Sequence, residues 1–319
     1  MKPKKTSFNL VALAALLLPL TLLAQKEVTK TFSGIKKIKM GTASGSCIIK
    51  KSDNATVKVE LKHTYDDDDY TPSFDQQGDV LVVKEKFHSK SSNGSADWKL
   101  TVPDNLSIQF STGSGDVEAS DLALDLNATT GSGDFVFTGT TGEIECTTGS
   151  GGVELENVSG TINATSGSGG FRVKNAKGNL QLTSGSGNHR ISESVAELKV
   201  TTGSGSINCT GITLEGASTF STGSGTAEVA LAASPKHDLS ISSGSGNAVV
   251  NFGGNEINGE IVMKASKKHG NIDAPFAFDK TEELSHSHND VTIQKTAVKG
   301  TGKPRISIST GSGDAVLKK

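Results

Sequence analysis

A Gly-Ser-Gly triplet recurs along this chain at nearly fixed intervals, and this feature limits the possible folds more than any other. The triplets begin at Gly113, Gly131, Gly149, Gly167, Gly185, Gly203, Gly223, Gly244 and Gly311. The first five intervals are 18 residues each, and the next two are 20 and 21. A fixed period of this kind is typical of a solenoid, in which each repeat forms one layer of a stack.

Apolar residues alternate with polar ones on both sides of each triplet. Around the triplet at Gly131, the apolar positions are Leu126 and Ala128 before it and Phe135 and Phe137 after it, and the other repeats follow the same pattern. A spacing of two is typical of a strand with one buried face. The sequence therefore predicts rungs, each made of two strands joined by the glycine turn.

The repeat predicts an all-β fold, in the form of a single-stack parallel β-helix (a β-solenoid) with about 18 residues per rung. Glycine suits the fixed turn because a Cβ atom would obstruct either a positive φ or close stacking of one backbone on the next. The pattern is compatible with two or with three faces per rung.

Degenerate repeats extend the array toward the C-terminus. Lys268-His269-Gly270 is flanked by apolar residues in the same register, and Val291 and Ile293 indicate a further rung that starts near Ser287. We therefore predict that residues 111–319 form one continuous array.

The segment 25–110 differs from the array. Ala43-Ser44-Gly45 fits the template of an opening rung, and strand-like runs at 57–61, 80–83 and 98–102 follow, separated by polar stretches. Because the end of a solenoid exposes unpaired strand edges, an atypical terminal unit is expected there. We predict that residues 25–110 form an N-terminal β cap together with the first rungs.

The first 24 residues have the features of a signal peptide. Lys2, Lys4 and Lys5 precede an apolar run from Leu10 to Leu23, which Ala24 follows. This run is shorter than the about 20 apolar residues that a membrane-spanning helix needs. We expect a mature chain without a membrane span, exported to the periplasm, the outer surface or the extracellular space.

Charge and composition exclude one class of partner. Removing residues 1–24 takes three of the 32 basic residues and none of the 34 acidic ones, so the mature chain has a net charge near −5. A chain of this charge is a poor binder of nucleic acid.

Two acidic patterns are candidate calcium ligands. Asp116, Asp134 and Asp314 occupy the third position after the first glycine of a triplet, but other repeats have Gly, Asn, Ser or Thr there, so the ligands of a calcium β-roll do not recur. The acidic run Asp66 to Asp69 could hold one Ca²⁺, but a solvated loop is the favoured interpretation.

Two further patterns involve metal-ligand residue types. His286, His288 and Asp290 alternate along one strand face, and we favour an exposed polar loop because no third strong ligand accompanies the histidines. Cys47, Cys146 and Cys209 fall on core positions, which predicts three buried free thiols. We assign no catalytic, cofactor-binding or metal-binding residue, and no cofactor.

The segments Trp98 to Pro103 and Phe110 to Val117, with the opening Phe32 to Ile35, resemble the bacterial "putative adhesin" family of β-helical envelope proteins. In this family the motif Thr-Gly-Ser-Gly-Asp-Val repeats. The resemblance covers nearly the whole mature chain and implies a β-helical fold and a binding function. It implies no catalytic residues.

The first functional hypothesis is a non-catalytic exported module of the cell envelope that binds a glycan, a protein or another copy of itself. A carbohydrate-active β-helix enzyme is an alternative, but such an enzyme needs converging carboxylate or basic groups and favours aromatic sugar platforms. The one Trp and both Tyr lie in the N-terminal segment instead. A second alternative is an envelope-stress sensor or regulatory module.

Overall fold

The computed structural model describes residues 25–89, 93–287 and 290–319, so the predicted signal peptide lies outside the described residues. Within these ranges the chain forms strands and turns without helix, which confirms the all-β prediction. No helix in this part of the chain is long and apolar enough to cross a membrane.

The strands fall into three groups along the chain. The N-terminal strands are β1 (Lys26–Ser33), β2 (Lys37–Ser44), β3 (Cys47–Lys51), β4 (Thr56–His63), β5 (Tyr70–Gln77), β6 (Val80–Phe87) and β7 (Ala96–Val102). The repeats contribute β8 (Leu106–Ser114), β9 (Val117–Ser120), β10 (Ala123–Thr130), β11 (Phe135–Thr138), β12 (Thr141–Thr148), β13 (Val153–Glu156), β14 (Ser159–Ser166), β15 (Phe171–Lys174), β16 (Lys177–Ser184), β17 (His189–Ser192), β18 (Val195–Thr202), β19 (Ile207–Leu214), β20 (Ser218–Thr222), β21 (Ala227–Leu231), β22 (Leu239–Ser243) and β23 (Ala248–Asn251). The C-terminal strands are β24 (Gly259–Ser266), β25 (Ile272–Asp273), β26 (Lys280–Ser287), β27 (Asp290–Lys299), β28 (Arg305–Thr310) and β29 (Ala315–Lys318).

The strands of the repeats form two parallel ladders. We name the ladder of strands that precede the glycine turns the upstream sheet, and the ladder of strands that follow them the downstream sheet. In the upstream sheet, Leu126 pairs with Ile144, 18 residues later. In the downstream sheet, Phe137 pairs with Leu155 at the same interval. The 18-residue repeat is therefore the separation in sequence between strands that pair with each other. The fold is β-solenoid-like.

The core lies on the inner side of both sheets and runs along the whole stack. Side chains at the predicted apolar positions are buried, among them Phe135, Phe137 and Ile144, each with 0% exposure. They belong to one hydrophobic cluster that spans the chain from Ile35 to Leu317. Alternation of buried and exposed residues is what a strand with one face on a core requires.

Close stacking of backbone on backbone explains the two glycines of each turn. A Cβ at Gly133 would lie 1.7 Å from the carbonyl oxygen of Gly115 in the preceding rung, and a Cβ at Gly131 would lie 2.4 Å from that of Gly113. Neither Gly131 nor Gly133 has a positive φ. Close stacking of the backbones, and not a positive φ, therefore requires glycine at this turn.

A buried hydroxyl precedes each glycine turn, and several of these hydroxyls join neighbouring rungs. Thr148 Oγ1 donates to the carbonyl oxygen of Gly133 at 2.9 Å and accepts the backbone N–H of Gly151 at 3.0 Å. Ser166 makes the equivalent pair of bonds one rung later. These hydroxyls therefore provide hydrogen-bond partners for buried backbone groups of the turns.

A left-handed residue forms the corner opposite the glycine turn. Asp121, Asn157, Asn175 and Glu193 have φ values between 52° and 57°, and glycines occupy the equivalent place in two other rungs. Asn and Asp tolerate this conformation better than other non-glycine residues do. The alternation of apolar residues in the sequence gives no signal for this column.

The N-terminal end is stacked out of chain order. The opening rung, β2 and β3, pairs in parallel with β8 and β9 on one side and with β6 and β7 on the other. Beyond it, β5 pairs antiparallel with β6, and β4 pairs antiparallel with β7 and β1. Phe32, Phe74 and Phe87 pack against the core at this end, so the terminal unit covers apolar side chains that the parallel ladders leave open.

The order of the strands at the C-terminal end differs from the predicted continuous array. Strand β28 stacks directly on β22, and β24 lies outside β28, so the rung at Gly270 exists but follows the rung at Gly311 in space. The rung predicted near Ser287 is wrong, because Val291 and Ile293 lie in β27, which runs antiparallel to β24 and β26. An alternating apolar pattern is the same in parallel and antiparallel strands, and here the hairpin of β26 and β27 covers the outer edge of β24.

Candidate anion-binding groove

A shallow groove with a volume of about 660 Å³ lies on the outer face of the downstream sheet. It extends from β11 to β19, across the middle of the stack. The exposed polar side chains that line it are those of Asp134, Glu154, Arg172, Asn188, Arg190, Ser206 and Asn208.

Two glycines form the floor of this groove. In four successive rungs the third position after the first glycine of the triplet is Asp134, Gly152, Gly170 and Asn188. Asp134 Oδ1 accepts the N–H of Gly152 at 2.7 Å, and Asn188 Oδ1 accepts the N–H of Ser206 at 2.8 Å. The side chains of Asp134 and Asn188, which these bonds fix, therefore lie on either side of two positions that have no side chain.

Two arginines lie side by side at the groove. Arg172 in β15 and Arg190 in β17 are directly opposite each other in the parallel register, and both are exposed. Like charges in this arrangement destabilise a sheet. Arg172 lies 3.6 Å from Glu154, measured from Nη1 to Oε2, whereas Arg190 has no carboxylate within 4.0 Å among the described residues. The unpaired guanidinium and its cationic neighbour make this part of the groove suited to an anion.

His189 lies beneath the groove and adds a side-chain hydrogen bond between the two arginine-bearing strands. Its Nδ1 accepts the backbone N–H of Phe171 at 3.2 Å, so the neutral ring carries its proton on Nε2 and donates to Ser184 Oγ, 3.0 Å away. Burial lowers the pKa of His189 to about 4. Its exposure is 1%, so the side chain supports the groove from the core and does not contact a ligand in it.

The aspartates considered as calcium ligands bind backbone amides. Asp116 Oδ1 accepts the N–H of Asp134 at 2.8 Å, and Asp314 Oδ1 accepts the N–H of Asn271 at 2.9 Å. Each carboxylate thus joins one rung to the next. In the described ranges no group of three or more His, Cys, Asp or Glu side chains is arranged to hold a metal ion.

The other candidate residues lie away from the groove. Asp66 to Asp69 form an exposed turn in which Asp67 pairs with Lys26 at 2.9 Å. The side chains of His286, His288 and Asp290 lie outside the described residues.

The three cysteines occupy core positions. Cys47, Cys146 and Cys209 are free and buried. Burial raises the pKa of Cys47 and of Cys146 to about 12 and also raises that of Cys209. At neutral pH they are thiols, which are poor nucleophiles.

A half-buried carboxylate organises the N-terminal end. Glu85 accepts hydrogen bonds from the hydroxyl of Tyr70 and from Nε1 of Trp98, each at 3.1 Å, and from the N–H of Ala43 at 2.7 Å. Burial raises the pKa of Glu85. These bonds tie β5, β6 and β7 to the opening rung, so Glu85 has a structural role that the sequence analysis did not predict.

The fold and the groove define an all-β, β-solenoid-like protein with an exposed polar groove. The Toastrack DUF4097 family matches residues 29–192, just over half of the chain, and the protein belongs to this family. No curated protein matches it.

Several solved structures resemble this chain over 92% of its length. One is a "putative cell adhesion protein" from Clostridium sporogenes, with 14% identity, 99% of that chain covered and a TM-score of 0.30. Another is a "putative adhesin" from Parabacteroides merdae, with 14% identity, 96% coverage and a TM-score of 0.35. A third is a "putative lipid binding protein" from Parabacteroides distasonis, with 13% identity, 96% coverage and a TM-score of 0.37. At these identities and scores the likenesses carry no argument about function.

Proposed function

We propose that this protein is an exported, non-catalytic binding module of the bacterial cell envelope, an adhesin that binds its partner in the groove around Arg172 and Arg190. The observation that carries the proposal is the unpaired guanidinium of Arg190 beside a second arginine on an exposed face. Because an exposed guanidinium without a carboxylate partner is available to a ligand anion, binding an anionic partner is the function this placement supports best.

The proposed scaffold is a single-stack parallel β-helix with about 18 residues per rung. The parallel registers of both sheets and the stacked glycine turns support this architecture. Such a scaffold holds Arg172 and Arg190 on strands whose backbone positions are set by neighbours on both sides. A surface built in this way is preorganised, which lowers the entropy cost of binding.

A non-catalytic role agrees with the state of the ionisable groups in the groove. The Asp134 carboxylate is held by the N–H of Gly152, and Glu154 pairs with Arg172. His189 is buried and neutral beneath them. In the groove both carboxylates have a partner and His189 does not reach a ligand, so the groove supports binding better than general acid–base chemistry.

The proposal is tested by retention of purified envelope fractions and of an arrayed glycan library on immobilised residues 25–319. Arg172→Gln and Arg190→Gln should reduce specific, saturable retention. Arg305→Gln is the matched control, because Arg305 is similarly exposed but pairs with Glu260 in the upstream sheet, away from the groove. Equal retention by all variants, or none by the unaltered protein, would overturn the proposal.

Export is tested separately. Expression of residues 1–319 in a bacterial host should yield a mature protein that begins at Gln25 outside the cytoplasm, as read by N-terminal sequencing. An uncleaved cytoplasmic product would contradict it.

A further inference from the structure

We infer that the groove binds a carboxylate of an acidic polysaccharide, a uronate-rich glycan, between Arg172 and Arg190. This inference rests on the proposed function and adds the chemical class of the ligand. The geometry of the arginines, the missing side chains of the floor and the polar character of the rim support this ligand.

The spacing of the arginines suits a carboxylate. Neighbouring strands in a sheet lie about 4.8 Å apart, so the guanidinium groups of Arg172 and Arg190 can approach one anion from two sides. A carboxylate has two oxygens that accept in the plane of a guanidinium fork. One ligand group can therefore be bound by both arginines.

The existing partner of Arg172 leaves room for this ligand. The 3.6 Å between Arg172 and Glu154 exceeds the about 2.7–2.9 Å of a strong charge-assisted hydrogen bond. Both side chains are also about half exposed or more, with exposures of 63% and 49%. An exposed pair of this kind contributes little stability, so a ligand carboxylate can replace Glu154 at Arg172.

The rim and floor favour a sugar over a peptide. The backbone groups beneath the groove are occupied in the ladder, as in the bond from the N–H of Val153 to the oxygen of Gly170, so a peptide cannot be recognised by adding a strand. Phe135 and Phe171 are buried and offer no apolar pocket. Asn208 and Ser206 place amide and hydroxyl groups at the rim, where they can bind the hydroxyls of a sugar.

The floor of the groove offers a position for a sugar ring. Gly152 leaves this part of the floor without a side chain, and a Cβ there would lie in tight contact with the oxygen of Gly170, at 3.1 Å, and 3.9 Å from Asp134 Oδ1. Gly152→Asn would restore the kind of side chain found at Asn188 and fill the hollow without removing either arginine. This variant separates the shape of the groove from its charge.

The test uses a homogeneous galacturonic acid tetramer as the probe and isothermal titration calorimetry as the measurement. Arg172→Gln and Arg190→Gln should each weaken binding about tenfold or more, because a charge-assisted hydrogen bond is lost. Gly152→Asn should also weaken binding, whereas Arg305→Gln should leave it unchanged. The methyl-esterified tetramer, which has the same sugar rings without the charge, should not bind.

Each other outcome overturns the inference in a distinguishable way. Equal binding of the tetramer, inorganic phosphate and poly-glutamate would indicate a general anion site without recognition of sugar. A salt-sensitive dimer in sedimentation velocity that is lost in Arg190→Gln would assign this face to a second copy of the chain. If the tetramer fails to bind but Arg172 and Arg190 are still needed for retention of envelope fractions, the ligand class is wrong and the proposed function stands. If both assays fail, both proposals fail.

Discussion

His189 and Phe171, neighbours on adjacent strands of the downstream sheet, are joined by a hydrogen bond and by stacked rings. The N–H of Phe171 donates to Nδ1 of His189 at 3.2 Å, and the ring centroids lie 4.6 Å apart with an interplanar angle of 13°. This is the one histidine in a column otherwise made of apolar side chains such as Val153 and Ile207. The bond requires the neutral ring, and this requirement makes the stack beneath the groove sensitive to acid.

The first prediction concerns pH. Burial lowers the pKa of His189 from 6.5 to about 4, so its stabilising contribution is present above pH 6.5 and is lost as the pH falls through 4. Between about pH 7 and pH 4, this group should lower the free energy of unfolding by about 3 kcal/mol. In His189→Ile, that part of the pH dependence should be absent in urea denaturation at the two pH values. An unchanged difference between them would contradict the assignment.

The second prediction concerns the stacked turns. Gly133→Ala places a Cβ 1.7 Å from the oxygen of Gly115, so the two rungs must separate. We expect a loss of about 3 kcal/mol or more in the free energy of unfolding. Gly152→Ala is the matched control, since its nearest contact is 3.1 Å away, and should cost less than about 1 kcal/mol. Thermal and chemical denaturation would measure both, and similar losses would show that the turn does not depend on close stacking.

A third prediction tests the buried hydroxyls. Thr148→Val keeps the shape of the side chain but leaves the oxygen of Gly133 and the N–H of Gly151 without their hydroxyl partner. The expected loss is about 1–3 kcal/mol. Thr147→Val changes the exposed neighbour on the same strand and should be nearly neutral or slightly stabilising. Equal effects in denaturant titrations would contradict a role for the hydroxyl.

The fourth prediction is a gain in stability. Glu193 has a φ of 52°, a conformation that costs a residue of this type about 1 kcal/mol. Asn175, one rung earlier in the same column, donates from Nδ2 to Asn157 Oδ1 at 2.6 Å. Glu193→Asn should therefore raise the free energy of unfolding by about 1 kcal/mol. Glu143→Asn, at an exposed position in an extended strand, should bring no gain. A gain of the same size there would show that the loss of a negative charge, and not the relief of backbone strain, stabilises Glu193→Asn.

The sequence predicted the part of the fold that its period determines. The 18-residue interval and the apolar positions identified the paired strands and their buried faces, because each rung meets the same neighbours as the one before it. The period does not determine the order of the rungs at either end of the stack. The alternation of Val291 and Ile293 is the same whether β27 runs parallel or antiparallel to its neighbour, and pairing partners distant in the chain leave no periodic signal.

The candidate groove could be predicted only in part. Arg172 and Arg190 are recognisable in the sequence as residues on the solvent face, and their 18-residue separation predicts that they are neighbours. The hollow beside them depends on the absence of side chains at Gly152 and Gly170, which a search for ligand residues overlooks. The signal for His189 was a polar residue in an apolar column. Glu85 gave no such signal, since its three donors come from separate strands.

The central claim is that Arg172 and Arg190 bind an acidic ligand in the groove, and one spectrum tests it most directly. The chain contains three arginines, so the Nε–H region of its ¹H–¹⁵N NMR spectrum has three arginine side-chain signals to assign, with Arg305 as an internal control. On titration with the galacturonic acid tetramer, the signals of Arg172 and Arg190 should shift together and saturate, while that of Arg305 stays in place. Equal shifts of all three, or no shift of Arg172 and Arg190 at saturating ligand, would contradict the claim.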